Sequence, residues 1–322
     1  MPYDFDHELA PWAAKMVAPD YGDLAATRRL LTGILAAQPA PPRADAVLVS
    51  DRQIPGLPGE PEVGVRLYRP ASHEGEPAAL IYLHWGGFVF GDLDTVSGTA
   101  VRIAEELGVL VICVDYRLAP EHPYPAALHD CYATLEWVAR HAADLGVAPD
   151  RIALGGESAG GGLAAAVALL ARDKGGPKVC FQCLVYPELD DRLDTTSART
   201  FVDTPKWNRA ATGHSWRYYL GESPTDVSPY AAPARATDLA GLPPAFVSTC
   251  EFDPLRDEGI DYAHRMIRAG VATELRHYPG TFHGSLSVAD AAVTRRMVAD
   301  QLDALRRGLR IAHHSREEVP AR

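Results

Sequence analysis

Strand-like apolar runs recur along this chain with helix-length patterns between them, and that alternation restricts the folds open to it. The runs are Ala46 to Val49, Val63 to Tyr68, Ala79 to Leu83, Val109 to Val114, Ile152 to Leu154, Phe181 to Tyr186, Ala245 to Thr249 and Thr273 to Tyr278. From the third onward most gaps carry helical periodicity, at Val96 to Leu107, Ala126 to Ala142, Ala159 to Arg172, Asp257 to Ala269 and Ala289 to Leu309. Parallel neighbours need long crossovers, usually helices, so the pattern predicts an α/β fold: a mainly parallel eight-stranded sheet with helices on both faces. A chain of 322 residues can bury one such core as a single domain. Its expected extent is 46–310.

Two segments depart from the alternation. Residues 1–45 hold helical patterns at His7 to Val17 and Asp23 to Ala37, closed by the breakers Pro39-Ala40-Pro41-Pro42, and are expected to form an N-terminal helical cap segment. Residues from about 190 to 236, between the sixth and seventh runs, form an insertion carrying Trp207, Trp216, Tyr218 and Tyr219. A helical cap over the sheet is expected there, its aromatics either lining an acyl pocket or joining cap to body. The polar, aperiodic stretch 311–322 is expected to be a flexible tail.

Composition excludes several function classes. The net charge is −11 and no Lys/Arg-rich stripe is present, which argues against nucleic acid as a partner. No basic stretch with an apolar run opens the chain and no window suits a membrane span, so a cytoplasmic protein without stable membrane association is expected. Five cysteines in a chain this long make no disulfide framework, and Cys180-Phe181-Gln182-Cys183, which lacks a second ligand pair, is expected to be core packing. No metal or organic cofactor is implied.

The chemistry concentrates around Gly156-Glu157-Ser158-Ala159-Gly160, set between the strand-like Arg151 to Leu154 and the small-residue helical pattern that follows. This is the strand-turn-helix context of a nucleophile elbow, where a serine stands on a sharp turn and its small neighbours let strand and helix approach. A serine nucleophile needs a base, and the base needs an acid to hold its tautomer. Open α/β sheets place such groups just past the carboxyl ends of strands. Asp253 and His283 meet that condition, in the chain order serine, acid, histidine. Asp257 and Asp261 compete for the acid's role but fall inside the next helical pattern. For the oxyanion, Ala159 supplies one N–H, and Gly86 and Gly87, directly after the third run, let a second stretch of backbone approach the substrate.

These residues resemble the hormone-sensitive-lipase-like branch of the α/β-hydrolase esterases, the bacterial family IV carboxylesterases. The markers are His84-Trp85-Gly86-Gly87-Phe88, the run Asp115 to Ala127, Gly156-Glu157-Ser158-Ala159-Gly160-Gly161 and Asp253-Pro254-Leu255-Arg256-Asp257-Glu258, and the resemblance spans Ala46 to Leu309. It implies the α/β-hydrolase fold and hydrolysis of a small-molecule ester through an acyl-enzyme. Ser158 would be nucleophile, His283 base and Asp253 acid, with Gly86, Gly87 and Ala159 as the oxyanion hole and the Tyr116 to Ala127 run as a brace. A homodimer is also compatible with it. Trp85 departs from the family pattern by standing where a first glycine is usual; its indole either narrows the pocket, beside Trp207 and Trp216, or packs under the cap. Glu157 stands where many members carry Asp, which is expected to alter local bonding and spare catalysis. Other functions on the same scaffold would be an amidase or deacetylase, a ligand receptor lacking the base, or an interfacial lipase.

Overall fold

A computed structural model of the chain describes residues 3–16, 20–36, 46–72, 75–221 and 226–312. The strands are β1 (Val47–Ile54), β2 (Val63–Pro70), β3 (Ala79–Leu83), β4 (Leu110–Asp115), β5 (Ile152–Glu157), β6 (Phe181–Val185), β7 (Ala245–Phe252) and β8 (Thr273–Phe282). They form one eight-stranded sheet in the order β1-β2-β4-β3-β5-β6-β7-β8. Pairing is antiparallel for β1 with β2 and β2 with β4, and parallel from β4 to β8. The helices are α1 (Ala10–Ala13), α2 (Leu24–Ala36), α3 (Ser97–Leu107), α4 (Ala126–Arg140), α5 (Ala142–Leu145), α6 (Ala159–Asp173), α7 (Thr196–Thr200), α8 (Arg209–Leu220), α9 (Arg256–Arg268) and α10 (Ala292–Gly308).

The central strands are apolar along their whole length because both sheet faces are covered. In β3, Ala79, Ile81 and Leu83 join one core cluster with residues of α4 and α6, while Leu80 and Tyr82 join a second with residues of α3 and α10. The period-two alternation of a strand thus divides one apolar run between two cores. At about 1.5–3 kcal/mol for each fully buried large aliphatic side chain, these two clusters are the main source of stability. Helix α6 is buried from Ala159 to Ala171 and approaches the sheet closely enough that a Cβ on Gly160 would stand 2.2 Å from the Leu83 carbonyl oxygen. Alanine at that position would force the helix off β3.

Several elements differ from expectation: β1 runs on to Ile54, past the Val49 where its expected run ends, and β7 runs on to Phe252, past Thr249. The pattern from His7 onward yields only Ala10–Ala13 as helix; the segment is held by docking instead, with Leu9 fully buried and the Asp6 N–H donating to the Gly280 carbonyl at 2.9 Å. The Ala126 to Ala142 pattern divides at His141, whose Nδ1 contacts the Trp137 carbonyl at 2.9 Å. Strand β8 continues past Tyr278, where the expected run ends, to Phe282, pairing with β7 across a register shift between Cys250 and Phe252. Val17, Ala37, the proline cluster 39–42 and residues 313–322 of the expected tail lie outside the described residues.

Candidate active site

The parallel half of the sheet delivers the site residues. Ser158 follows β5, Asp253 follows β7, His283 follows β8, and the loop with Gly86 and Gly87 follows β3, all at the carboxyl end. Because Phe252 and Phe282 are register partners at the ends of β7 and β8, Asp253 and His283 leave the sheet side by side.

Ser158 has φ 56° and ψ −122°, a positive-φ backbone that non-glycine residues rarely adopt. Such a conformation costs on the order of 1–3 kcal/mol and persists only where the surroundings over-determine it. Here they do: the Ser158 N–H donates to the Val185 carbonyl at 2.9 Å and its carbonyl accepts from Gly162 and Glu188 N–H at 3.0 Å each. The flanking glycines are required on steric grounds, since a Cβ on Gly156 would lie 2.5 Å from the Gly160 carbonyl carbon and 2.8 Å from the Leu83 oxygen.

His283 Nε2 lies 2.9 Å from Ser158 Oγ, and its Nδ1 lies 2.7 Å from Asp253 Oδ2. A carboxylate oxygen at Nδ1 assigns the proton to that nitrogen and leaves Nε2 as acceptor for the serine hydroxyl. Asp253 is fully buried and its other oxygen accepts from Leu255 N–H at 2.9 Å. Asp257 is engaged instead with Ser197 and Arg256, and Asp261 is exposed.

Ala159 is the first residue of α6, so its N–H is one of those a helix leaves without an internal acceptor. Gly86 and Gly87 have φ values of 140° and 57°, and the loop is pinned from three sides. Ser215 Oγ donates to the Gly87 carbonyl at 2.9 Å, Ala119 N–H to Phe88 carbonyl at 2.9 Å, and Arg28 Nε to Val89 carbonyl at 2.8 Å. Tyr116 braces its start, donating to the His84 carbonyl at 2.8 Å with its ring stacked on the His84 imidazole. Burial lowers the His84 pKa to about 4, which keeps the ring neutral at physiological pH.

Glu157 is buried with Tyr82 OH and Tyr186 OH each donating to it at 2.9 Å; burial raises its pKa. The longer side chain therefore has its own bonding, and one of its partners, Tyr186, packs edge-on against the His283 ring with centroids 4.9 Å apart. Of Trp85, Trp207 and Trp216, the tryptophans expected at the pocket, Trp207 comes nearest the serine–histidine pair: its ring centroid is 5.6 Å from that of His283. Trp216 packs against Phe88 and Tyr219 in the larger core. Trp85 is half-buried beside Phe90, against the cluster that contains Leu9 and Phe282. Glu188, Ser215, Lys206 and Arg28 also stand at the site, and no motif in the sequence marks them. Lys206, whose amine donates to the Gly284 carbonyl at 3.2 Å beside the histidine, has its pKa lowered by burial to about 8. Among the described residues no cluster of three or more His, Cys, Asp or Glu could hold a metal ion, and no helix is long and apolar enough to cross a membrane.

The arrangement can activate a hydroxyl, hold a charged imidazole and stabilise an oxyanion, which is acyl-transfer chemistry. Residues 80–287 match the alpha/beta hydrolase fold family. The chain is 41% identical over 254 residues to Esterase LipI of Mycobacterium tuberculosis, covering 78% of this chain and 79% of that one. It is 40% identical over 255 residues to Carboxylesterase NlhH of the same organism, covering 77% and 79%. Among solved structures, Bacterial Heroin Esterase superposes with a TM-score of 0.90 at 49% identity, covering 95% of this chain and 98% of that one.

Proposed function

The chain belongs to the hormone-sensitive-lipase-like carboxylesterases of the alpha/beta hydrolase family, and on that premise we propose that Ser158, His283 and Asp253 carry its ester hydrolysis. The observation that supports the assignment is the unbroken chain of contacts from Ser158 Oγ through the imidazole to Asp253, at 2.9 and 2.7 Å. His283 Nε2 takes the Ser158 proton as Oγ attacks the ester carbonyl, and the tetrahedral oxygen receives N–H groups of Gly86, Gly87 and Ala159. Collapse breaks the bond to the alkoxide, which leaves with the proton from His283. Water then attacks the acyl-enzyme with His283 again as base, releasing the acid and restoring Ser158. Asp253 holds the Nδ1–H tautomer and offsets the imidazolium charge.

The insertion about 190–236 and the N-terminal segment act together as a cap in this proposal. Supporting contacts are the Tyr21 ring against Trp207 at 5.2 Å and Tyr218 OH donating to the Tyr21 carbonyl at 3.1 Å. The Trp207 ring stands against His283, with centroids 5.6 Å apart, and short- to medium-chain esters are the proposed substrates. A cytoplasmic location, consistent with five free cysteines, and a homodimer complete the proposal; fractionation and light scattering test those two points. The main test is hydrolysis of p-nitrophenyl esters from acetate to palmitate by the wild type and Ser158→Ala. Activity confined to the shorter chains and lost in the variant is expected; activity surviving in the variant would overturn the nucleophile assignment.

A further inference from the structure

The reaction above leaves one carboxyl at the site unused. Glu188 follows β6, at the same end of the sheet as Ser158, and is fully buried. Its N–H donates to the Ser158 carbonyl at 3.0 Å, so its backbone is tied to the nucleophile elbow. Neither carboxyl oxygen meets a hydrogen-bond partner among the described residues.

Two other buried glutamates provide the contrast. Glu157 is bonded by two tyrosine hydroxyls, and Glu258 accepts from Leu189 N–H at 2.6 Å. Those carboxyls are satisfied within the protein. An unsatisfied buried carboxyl is costly, and such a group at a functional site calls for an explanation.

The neighbours of Glu188 place it. Ser215 Oγ lies beside it, but its hydrogen is given to the Gly87 carbonyl at 2.9 Å. Ser215 and Trp207 both converge on Gly87, where a Cβ would stand 3.1 Å from Ser215 Oγ and 2.6 Å from the Trp207 ring. Trp207 in turn lies against His283, and its own Nε1 is buried without a partner among the described residues. Ser158, Gly87, His283, Trp207, Ser215 and Glu188 thus border one side of the site. In the acyl-enzyme the acyl group is bonded to Ser158 Oγ and so stands at that border.

We propose that Glu188 is a specificity-determining residue that reads a hydroxyl on the acyl chain of the substrate, a role resting on the Ser158 hydrolase reading. Burial pushes its pKa up to about 8, so at neutral pH it is an uncharged carboxyl able to donate one hydrogen bond and accept another. A hydroxyl matches both functions. A plain alkyl chain leaves both oxygens unsatisfied. An ammonium group would have to shed its hydration to reach a residue with no solvent exposure, and a carboxylate would meet the negative field of Asp253, which already raises the Glu188 pKa.

The test compares kcat/KM for ethyl butyrate and for each enantiomer of ethyl 2-hydroxybutyrate and ethyl 3-hydroxybutyrate, in wild type, Glu188→Met and Glu188→Gln, with Ser158→Ala as the blank. The wild type is expected to prefer at least one hydroxy ester over butyrate. Glu188→Met should lower that ratio about tenfold or more, and Glu188→Gln, which still donates and accepts, should retain part of it. A ratio unchanged within about twofold in Glu188→Met, or a wild-type ratio at or below one for every hydroxy ester, overturns the proposal. The wild-type ratio keeps the test decisive if Glu188→Met fails to fold. Absence of any Ser158-dependent ester turnover would instead overturn the hydrolase assignment itself.

Discussion

Replacing Gly86 with alanine tests the oxyanion hole at a point where the backbone alone supplies the function. Gly86 has φ 140°, a region that L residues rarely adopt, and occupying it costs on the order of 1–3 kcal/mol. A Cβ there would stand 1.9 Å from the Phe90 carbonyl oxygen and 2.6 Å from its carbon. Phe90 cannot simply retreat, because its N–H and that of Val89 donate to the Gly86 carbonyl at 3.0 and 3.1 Å, and Arg28 holds the Val89 carbonyl. The Gly86 peptide must therefore rotate, carrying its N–H away from the oxyanion. Loss of one such donor costs about 2.7–4 kcal/mol, or about a hundredfold to a thousandfold in kcat. At Gly87, φ 57°, the obstacles are side chains, Trp207 at 2.6 Å and Ser215 Oγ at 3.1 Å. Gly87→Ala should then be partly restored in a Trp207→Ala background, whereas Gly86→Ala should not. The assay is single-turnover acylation and steady-state kinetics on p-nitrophenyl butyrate, read as a double-mutant cycle with circular dichroism as the folding control. A Gly86→Ala enzyme within about threefold of wild-type kcat would refute the reasoning, as would equal rescue of both glycine variants by Trp207→Ala.

Asp253→Asn should lower kcat by about ten thousandfold, because the Nδ1–H tautomer and the imidazolium both lose their carboxylate; near-normal turnover would move the acid elsewhere. Trp85→Gly should leave the acyl-chain profile unchanged and lower Tm, since the indole packs against the Leu9 and Phe282 cluster, whereas Trp207→Ala should extend the profile to longer chains. A shift toward longer chains in Trp85→Gly would put that indole in the pocket. Glu188 has a folded-state pKa of about 8 against an ordinary 4.5, so the folded chain holds an extra proton between those values. The stability this contributes is complete below about pH 4.5 and is lost as pH rises through 8, by at most about 5 kcal/mol. Urea unfolding at about pH 5 and about pH 9 should show wild type falling relative to Glu188→Gln; a constant difference would contradict the shift.

Ser158, Asp253 and His283 are legible in the sequence because each follows a strand of the parallel half, and strand ends are visible as the ends of apolar runs. The glycines are legible for a related reason: a close backbone approach, such as that of Gly160 to the Leu83 carbonyl, excludes every side chain and so is written in residue type. The same strand-end rule applied to β6 points to Glu188, although Tyr186-Pro187-Glu188 carries no motif. That its carboxyl lacks a partner among the described residues is a property of packing, and no local pattern expresses it.

The proposed pocket wall follows the opposite logic. Trp85 adjoins Gly86 in sequence and so draws attention, yet the indole that meets Gly87 belongs to Trp207, on the segment between β6 and β7. Its position depends on how that segment docks, through Tyr21, Ser215 and the Lys206 amine bonded at the Gly284 carbonyl. Each contact joins residues far apart in sequence and is made by a side chain that could as well lie on an ordinary surface. Reaction chemistry depends on backbone geometry that few residues allow, and therefore leaves a local trace. Substrate choice, on the proposed assignments, depends on long-range docking that many sequences satisfy, which is why the proposed acyl pocket and the proposed role of Glu188 emerge only when the chain is folded.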